Sequence, residues 1–152
     1  MLYLCILLLY SINLCLNGGG SSPVILAVQQ GEQVIPVDTL APDHTGCVRF
    51  EGEKALEPGQ YMFVQNNRRL FNFLISDTNR TDISFTATIN DSRTREIHVT
   101  GSEENNAYIR FYQFLQDKYA MIEKMTDMAE VVRMEETIRE YTQFLAERYE
   151  GS

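Results

Sequence analysis

The sequence predicts an α+β fold: an antiparallel β-sandwich or barrel-like domain of about eight strands, followed by a C-terminal helical hairpin. Three observations predict it. Short segments from Tyr10 to Thr100 carry apolar side chains at every second position, the period of a half-buried strand. Clusters of Gly, Pro, Asn and Asp punctuate those segments at fairly regular intervals, as turns between strands do. Beyond Thr100 the apolar residues fall at three- and four-residue steps instead, the stripe of a helix lying on a surface.

Residues 1–9 stand apart as a partial signal-like segment. Leu2 to Leu9 is an unbroken apolar run, too short for the ~20 residues a helix needs to cross a bilayer. It resembles the hydrophobic centre of a secretory signal peptide cleaved near Leu9, although the first Lys or Arg is Arg49 and the basic start of such a signal is missing. A start codon assigned too late accounts for that; an apolar first strand is the competing reading. Next, Tyr10, Ile12, Leu14 and Leu16 alternate with Ser11, Asn13, Cys15 and Asn17. This alternation weighs against Cys15 as a lipidated cysteine ahead of the Gly/Ser-rich stretch that follows, because cleavage there would cut the strand in half. Lipidation at Cys15 stays as a minor alternative route to membrane attachment.

Asn17 to Gly20 supplies residues tolerant of positive φ, as a hairpin connection requires, and Val24 to Val28 returns as the second strand. Gln30-Gly31 turns the chain into Gln33 to Leu40, which Pro36 assigns to a sheet edge because proline cannot donate to a ladder. Pro42 to Gly46 turns it again into Cys47 to Phe50. Glu57 to Gln60 precedes Tyr61 to Val64, Asn66-Asn67 separates that strand from Leu70 to Ile75, and Asp77 to Asp82 leads into Ile83 to Ile89. Arg95 to Thr100 closes the 10–100 β domain.

At Gly101 the period changes, which makes 101–152 the helical segment. Thr100 with Glu103 fits a capping box, and Ser102 is the alternative cap. Tyr108, Phe111, Tyr112, Leu115, Tyr119, Ile122 and Met125 form the apolar stripe, opposed mostly by Arg110, Gln113, Gln116, Asp117, Lys118 and Glu123. Thr126 and Asp127, with Glu130 beyond, start a second helix carrying Val131, Met134, Ile138, Tyr141 and Leu145. With no Gly or Pro between the two, one continuous helix is the open alternative. Gly151 is a helix stop.

Composition narrows the function classes. The chain has 152 residues, enough for one domain with a substantial core, and 13 basic against 21 acidic residues give it a net charge of −8. That balance repels phosphate backbones, and Arg68-Arg69 and Arg93 with Arg95 are too few to make a basic patch, so nucleic acid is not an expected partner. Cys5, Cys15 and Cys47 include no Cys-x-x-Cys, which leaves thiol–disulfide exchange without its partner sulfur. His44 and Cys47 are close in sequence but fall short of the four ligands of a zinc site, so no metal is expected. Glu103 and Glu104 are adjacent on a helix and do not face one another, which favours capping over acid–base chemistry. His98 alternates with Ile97 and Val99 and points to the polar face of its strand. Asn79-Arg80-Thr81 and Asn90-Asp91-Ser92 fit the glycan acceptor pattern, a short motif that chance supplies. The stripe Tyr108, Phe111, Tyr112 and Tyr119 reads first as core; it is also the best candidate interaction surface.

Three segments taken together resemble a known arrangement: VIPVDTLAPDHTGCVRFEGEKALEPGQYMFV from Val34, FNFLISDTNRTDISFTATI from Phe71, and IHVTGSEENNAYIRFYQFLQDK from Ile97. Their order is similar to the amino-terminal domain of unknown function that precedes the thioredoxin-like domain in envelope thiol-disulfide oxidoreductases of the TlpA and peroxiredoxin-like group. The distinctive positions are Asp38-Thr39 with Gly46, Phe50-Glu51-Gly52, Pro58-Gly59 before Tyr61, the FLIS segment, and Gly101 to Asn105 opening a helix. In that family the catalytic Cys-x-x-Cys lies in the thioredoxin domain, beyond the stretch that carries the resemblance. The resemblance therefore implies an exported, non-catalytic accessory domain of a truncated or free-standing relative, in the periplasm or outer envelope. Its partner would be a thioredoxin-like domain or a client protein, or a second copy in a homodimer, with no cofactor. The alternative is a stand-alone envelope β-sandwich that captures a small ligand or glycan between its sheets.

Overall fold

The computed structural model describes residues 7–76, 81–91 and 93–149. Most of the signal-like segment, Cys5, Asn79, Ser92 and Gly151 lie outside them. Over these described residues the fold is α+β: eight strands in two sheets that are mostly antiparallel and not closed into a barrel, then two helices. The strands are β1 (Tyr10–Asn17), β2 (Val24–Gln30), β3 (Gln33–Leu40), β4 (Cys47–Gly52), β5 (Gly59–Gln65), β6 (Arg68–Ile75), β7 (Thr81–Asn90) and β8 (Arg93–Thr100). The helices are α1 (Glu103–Glu123) and α2 (Met128–Tyr149).

One sheet has the order β4-β1-β7-β8 and the other β3-β2-β5-β6. The order corrects two sequence expectations. The Gly-rich link after Asn17 is not a hairpin: Gly18 and Gly20 do take positive φ (80° and 71°), but the chain crosses there from one sheet to the other. Second, β1 pairs in parallel with β7, Tyr10 opposite Thr81 through Asn17 opposite Thr88. Strands so far apart in sequence need no tight turn between them, so either direction is open to the pair. True hairpins join β2 to β3, β5 to β6 and β7 to β8. Asn66 and Asn67, both at positive φ (53° and 60°), make the two-residue turn between β5 and β6, where asparagine tolerates the left-handed region better than most residues. Pro36 stands in β3, which is an edge strand, as its missing N–H requires.

Alternation then builds the core. Ile12, Leu14, Val48, Phe50, Ile83 and Phe85 from one sheet and Val24, Leu26, Phe63, Phe71 and Phe73 from the other are all buried. Phe63 is the hub: the rings of Phe50, Phe71, Phe73 and Phe85 lie 6.1, 5.2, 4.9 and 5.6 Å from it. Two of those four, Phe50 and Phe85, come from the opposite sheet, so aromatic contacts knit the two layers together. Burying each such ring contributes about 1.5–3 kcal/mol.

The start of α1 belongs to the sandwich. Ser102 is the N-cap, its Oγ accepting the Asn105 N–H at 3.1 Å, which decides between the two cap candidates. Asn105, 1% exposed, then reaches β6: its Oδ1 accepts the Leu74 N–H at 2.6 Å and its Nδ2 donates to the Leu74 carbonyl at 2.8 Å. One side-chain amide thus supplies the pair of bonds that a further strand would make at the edge of that sheet. Gly101 (φ 92°) permits the turn into the helix, since a Cβ there would meet the Asp82 carbonyl oxygen at 2.6 Å. Two compact units result, and they divide inside α1, after Asn106 and not at Gly101.

The second unit is a helical hairpin. α1 ends in tight turns, Lys124 N–H to Met121 O and Met125 N–H to Ile122 O, and Asp127 caps α2 by accepting the Ala129 N–H at 2.9 Å. That cap settles the choice in favour of two helices. Phe111 and Phe114 pack against Tyr141, with centroids 6.1 and 4.5 Å apart.

Candidate functional site

Two features stand out: the apolar surface of the helical hairpin and the outward face of the β4-β1-β7-β8 sheet. On the hairpin, the four stripe residues separate. Tyr112 and Tyr119 are 41% and 54% exposed, whereas Tyr108 and Phe111 are half-buried and Phe111 faces Tyr141. The structure adds residues the stripe omitted. Phe114 makes the closest ring contact between the helices, and Phe144, 52% exposed, stacks at 6.4 Å on Tyr141. Lys118, expected among the polar residues, is half-buried with its ammonium 5.5 Å from the Phe114 ring centroid, a cation–π contact. Met121, Met128 and Val132 are also exposed, so the hairpin presents an apolar surface of mixed aromatic and methionine character.

On the sheet, the outward row of β1 and β4 is polar and cross-linked. Asn13 joins three strands: its Oδ1 accepts from Arg49 Nε of β4 at 2.8 Å and its Nδ2 donates to Ser84 Oγ of β7 at 3.4 Å. Arg49 also lies 3.6 Å from Glu51, an exposed pair of small energetic weight. Two rungs along, on the same face, Cys15 and Cys47 are joined by a disulfide with Cα atoms 4.0 Å apart. This corrects the expectation that the cysteines lack a partner sulfur. Absence of Cys-x-x-Cys excludes only a local pair; the sheet brings together two residues 32 apart. It also removes the Cys47 sulfur from any pairing with His44. Among the described residues no group of three or more His, Cys, Asp and Glu side chains is placed to hold a metal ion.

Beside the disulfide, Asp43 organises the turn into β4. Its Oδ1 accepts from the Thr45 hydroxyl (2.6 Å), the Thr45 N–H (2.8 Å) and the Cys47 N–H (3.1 Å). The hydroxyl first, then the two amides, hold its carboxyl below the usual carboxylate range. Tyr10 and Tyr61 are shifted upward, chiefly by burial, which removes them from acid–base work near neutrality.

The remaining sequence candidates do not converge. His98 is exposed on β8 opposite Thr86. Glu104 accepts a hydrogen bond from the Ser76 hydroxyl, and Glu103 is exposed in the same first turn. Arg68, Arg69, Arg93 and Arg95 are exposed at the hairpin ends of their strands. A cavity of about 100 Å³ lies beside Ser76, Asp82, Ser102 and Glu104; ligand pockets for drug-sized molecules run to about 300–1,000 Å³. No described helix is long and apolar enough to cross a membrane. No protein-family model matches the chain, and no curated protein matches it.

Proposed function

We propose that this chain is a non-catalytic, exported accessory domain serving a thioredoxin-like thiol–disulfide oxidoreductase of the periplasm or outer envelope. The observation that carries the reading is the Cys15–Cys47 bond between β1 and β4. Bonds of this kind form and persist in oxidising compartments and are rare where thiol pools stay reduced. The ordered resemblance over about Tyr10 to Lys118 supports a thioredoxin-like domain as the partner. The exposed Tyr112 and Tyr119, with Phe144, supply the surface through which the domain would engage an oxidoreductase, its client or a second copy. Filling of the space between the sheets by Phe50, Phe63, Phe71, Phe73 and Phe85 favours this reading over a ligand held between them.

Two measurements test it. The purified chain should leave the rate of insulin-disulfide reduction by dithiothreitol unchanged, whereas thioredoxin accelerates it; multiple turnover by the chain would remove the non-catalytic reading. Acid-quenched thiol trapping of envelope fractions should find Cys15 and Cys47 joined. Recovery of the chain in the cytosolic fraction, with both residues as free thiols, would remove the export argument.

A further inference from the structure

We propose that Cys15–Cys47 is a reversible dithiol–disulfide site, opened by an external dithiol while the sandwich stays folded. This inference does not depend on the accessory-domain reading. It begins with register. Cys15 and Cys47 are directly opposite on adjacent antiparallel strands, at the last rung of the β1–β4 ladder. The Cys47 N–H and carbonyl are bonded to Asp43, at 3.1 and 2.9 Å, so this rung exchanges no ladder bonds of its own. Such rungs hold Cα atoms at about 4.5 Å, closer than the roughly 5.5–6 Å at which disulfides are commonest. Here the separation is 4.0 Å. That is shorter than either spacing, and a bond held away from its preferred spacing is more readily reduced.

Access and independence from the core complete the argument. β4 is the outer strand of its sheet, and both cysteines are half-exposed on the polar face that carries Asn13 and Arg49. Val48 and Phe50, 4% and 0% exposed, anchor β4 from the other face. The rungs from Tyr10–Gly52 to Leu14–Val48 also survive loss of the S–S bond. Opening it therefore releases the Asp43–Cys47 corner, not the strand.

The chemistry is an exchange with a small or protein-borne dithiol. A donor thiolate attacks Cys47 Sγ on the outer strand, forming a mixed disulfide and expelling Cys15 as a thiolate, which takes a proton. The donor's second thiol loses its proton and attacks its own sulfur in the mixed disulfide. It expels Cys47, which is protonated in turn. Two electrons and two protons pass to the protein, and the donor leaves as a disulfide.

The test uses the full chain carrying Cys5→Ser, oxidised, in native buffer. Dithiothreitol is added over a range of concentrations, free thiols are alkylated at intervals, and the labels are counted by mass. The expected rate rises about tenfold for each tenfold of dithiothreitol while the far-UV circular dichroism holds, as direct attack on the folded state requires. Amide exchange should quicken at Leu16 and Cys47 and not at Phe63. A rate that plateaus at the independently measured rate of global unfolding would overturn the proposal, because the bond would then open only in the unfolded chain. The same count on the unaltered chain, where Cys5 adds a constant label, guards against an effect of the substitution itself.

Discussion

Replacing Asn105 tests whether a single amide holds the start of α1 to the edge of β6. In Asn105→Ala the bonds to the Leu74 N–H (2.6 Å) and carbonyl (2.8 Å) both vanish, together with the 3.1 Å contact from Nδ2 to Ser102. Each net bond is worth about 1 kcal/mol, and stranding the Leu74 backbone groups where Asn105 is 1% exposed adds roughly 1–3 kcal/mol. Alanine returns about 0.6 kcal/mol through helix propensity. The expected loss is therefore about 2–4 kcal/mol, read as a fall in the urea midpoint of about 1–2 M at unchanged slope. Asn105→Asp separates hydrogen bonding from packing. A carboxylate can still accept from the Leu74 N–H but cannot donate to the Leu74 carbonyl, so folding favours its protonated form and raises its pKa. The resulting stabilisation is complete below the unfolded value near ~3.9 and is lost as pH rises through the folded value. An Asn105→Ala chain within about 0.5 kcal/mol of the parent, the range of an ordinary surface substitution, would refute the clamp.

Glu96 occupies the irregularity between β7 and β8 at φ 51°, in the left-handed region that costs a side chain roughly 1 kcal/mol. Glu96→Gly should accordingly raise stability by about 0.5–1 kcal/mol in urea unfolding, and a loss would mean that its carboxylate matters more than its backbone. The double substitution Cys15→Ser with Cys47→Ser removes a cross-link spanning 32 residues, for which chain entropy alone sets a ceiling of about 3.7 kcal/mol. The short spacing at the β1–β4 rung should hold the measured loss to about half of that, and a loss at the ceiling would count against the spacing argument. Asp43 should titrate below its ordinary value of 3.8 by NMR, because the Thr45 hydroxyl and the Thr45 and Cys47 amides favour its charged form. Its contribution to stability is present above the unfolded pKa and disappears as pH falls through the folded one. Thr45→Ala should move the midpoint upward, and an unmoved midpoint would assign the shift to the backbone amides alone.

Strand positions were readable from the sequence because burial on one face imprints a two-residue period locally. Pairing was not. The partner of β1 on one side is β7, some 70 residues away, and no local signal distinguishes a glycine that closes a hairpin from Gly18, which carries the chain between sheets at the same kind of positive φ. The disulfide was illegible for the same reason: Cys15 and Cys47 become neighbours only once β1 and β4 align Leu14 with Val48 and Cys15 with Cys47.

The hairpin surface was half legible, and the physics of a helix face explains which half. An apolar stripe read at three- and four-residue steps spans more of the circumference than one neighbouring helix can cover. Phe111 and Tyr112 both belong to such a stripe, yet successive residues are rotated by about 100°, so both cannot meet Tyr141. Phe114, three residues beyond Phe111, shares its side of the helix and does meet Tyr141, at 4.5 Å. Tyr112 and Tyr119, seven residues apart, are left together at 41% and 54% exposure. Their pairing follows from helix geometry once one contact is known. Sequence alone could not choose between the two faces, because Tyr141 lies on another element, and only its position selects which aromatic residues become core and which remain exposed.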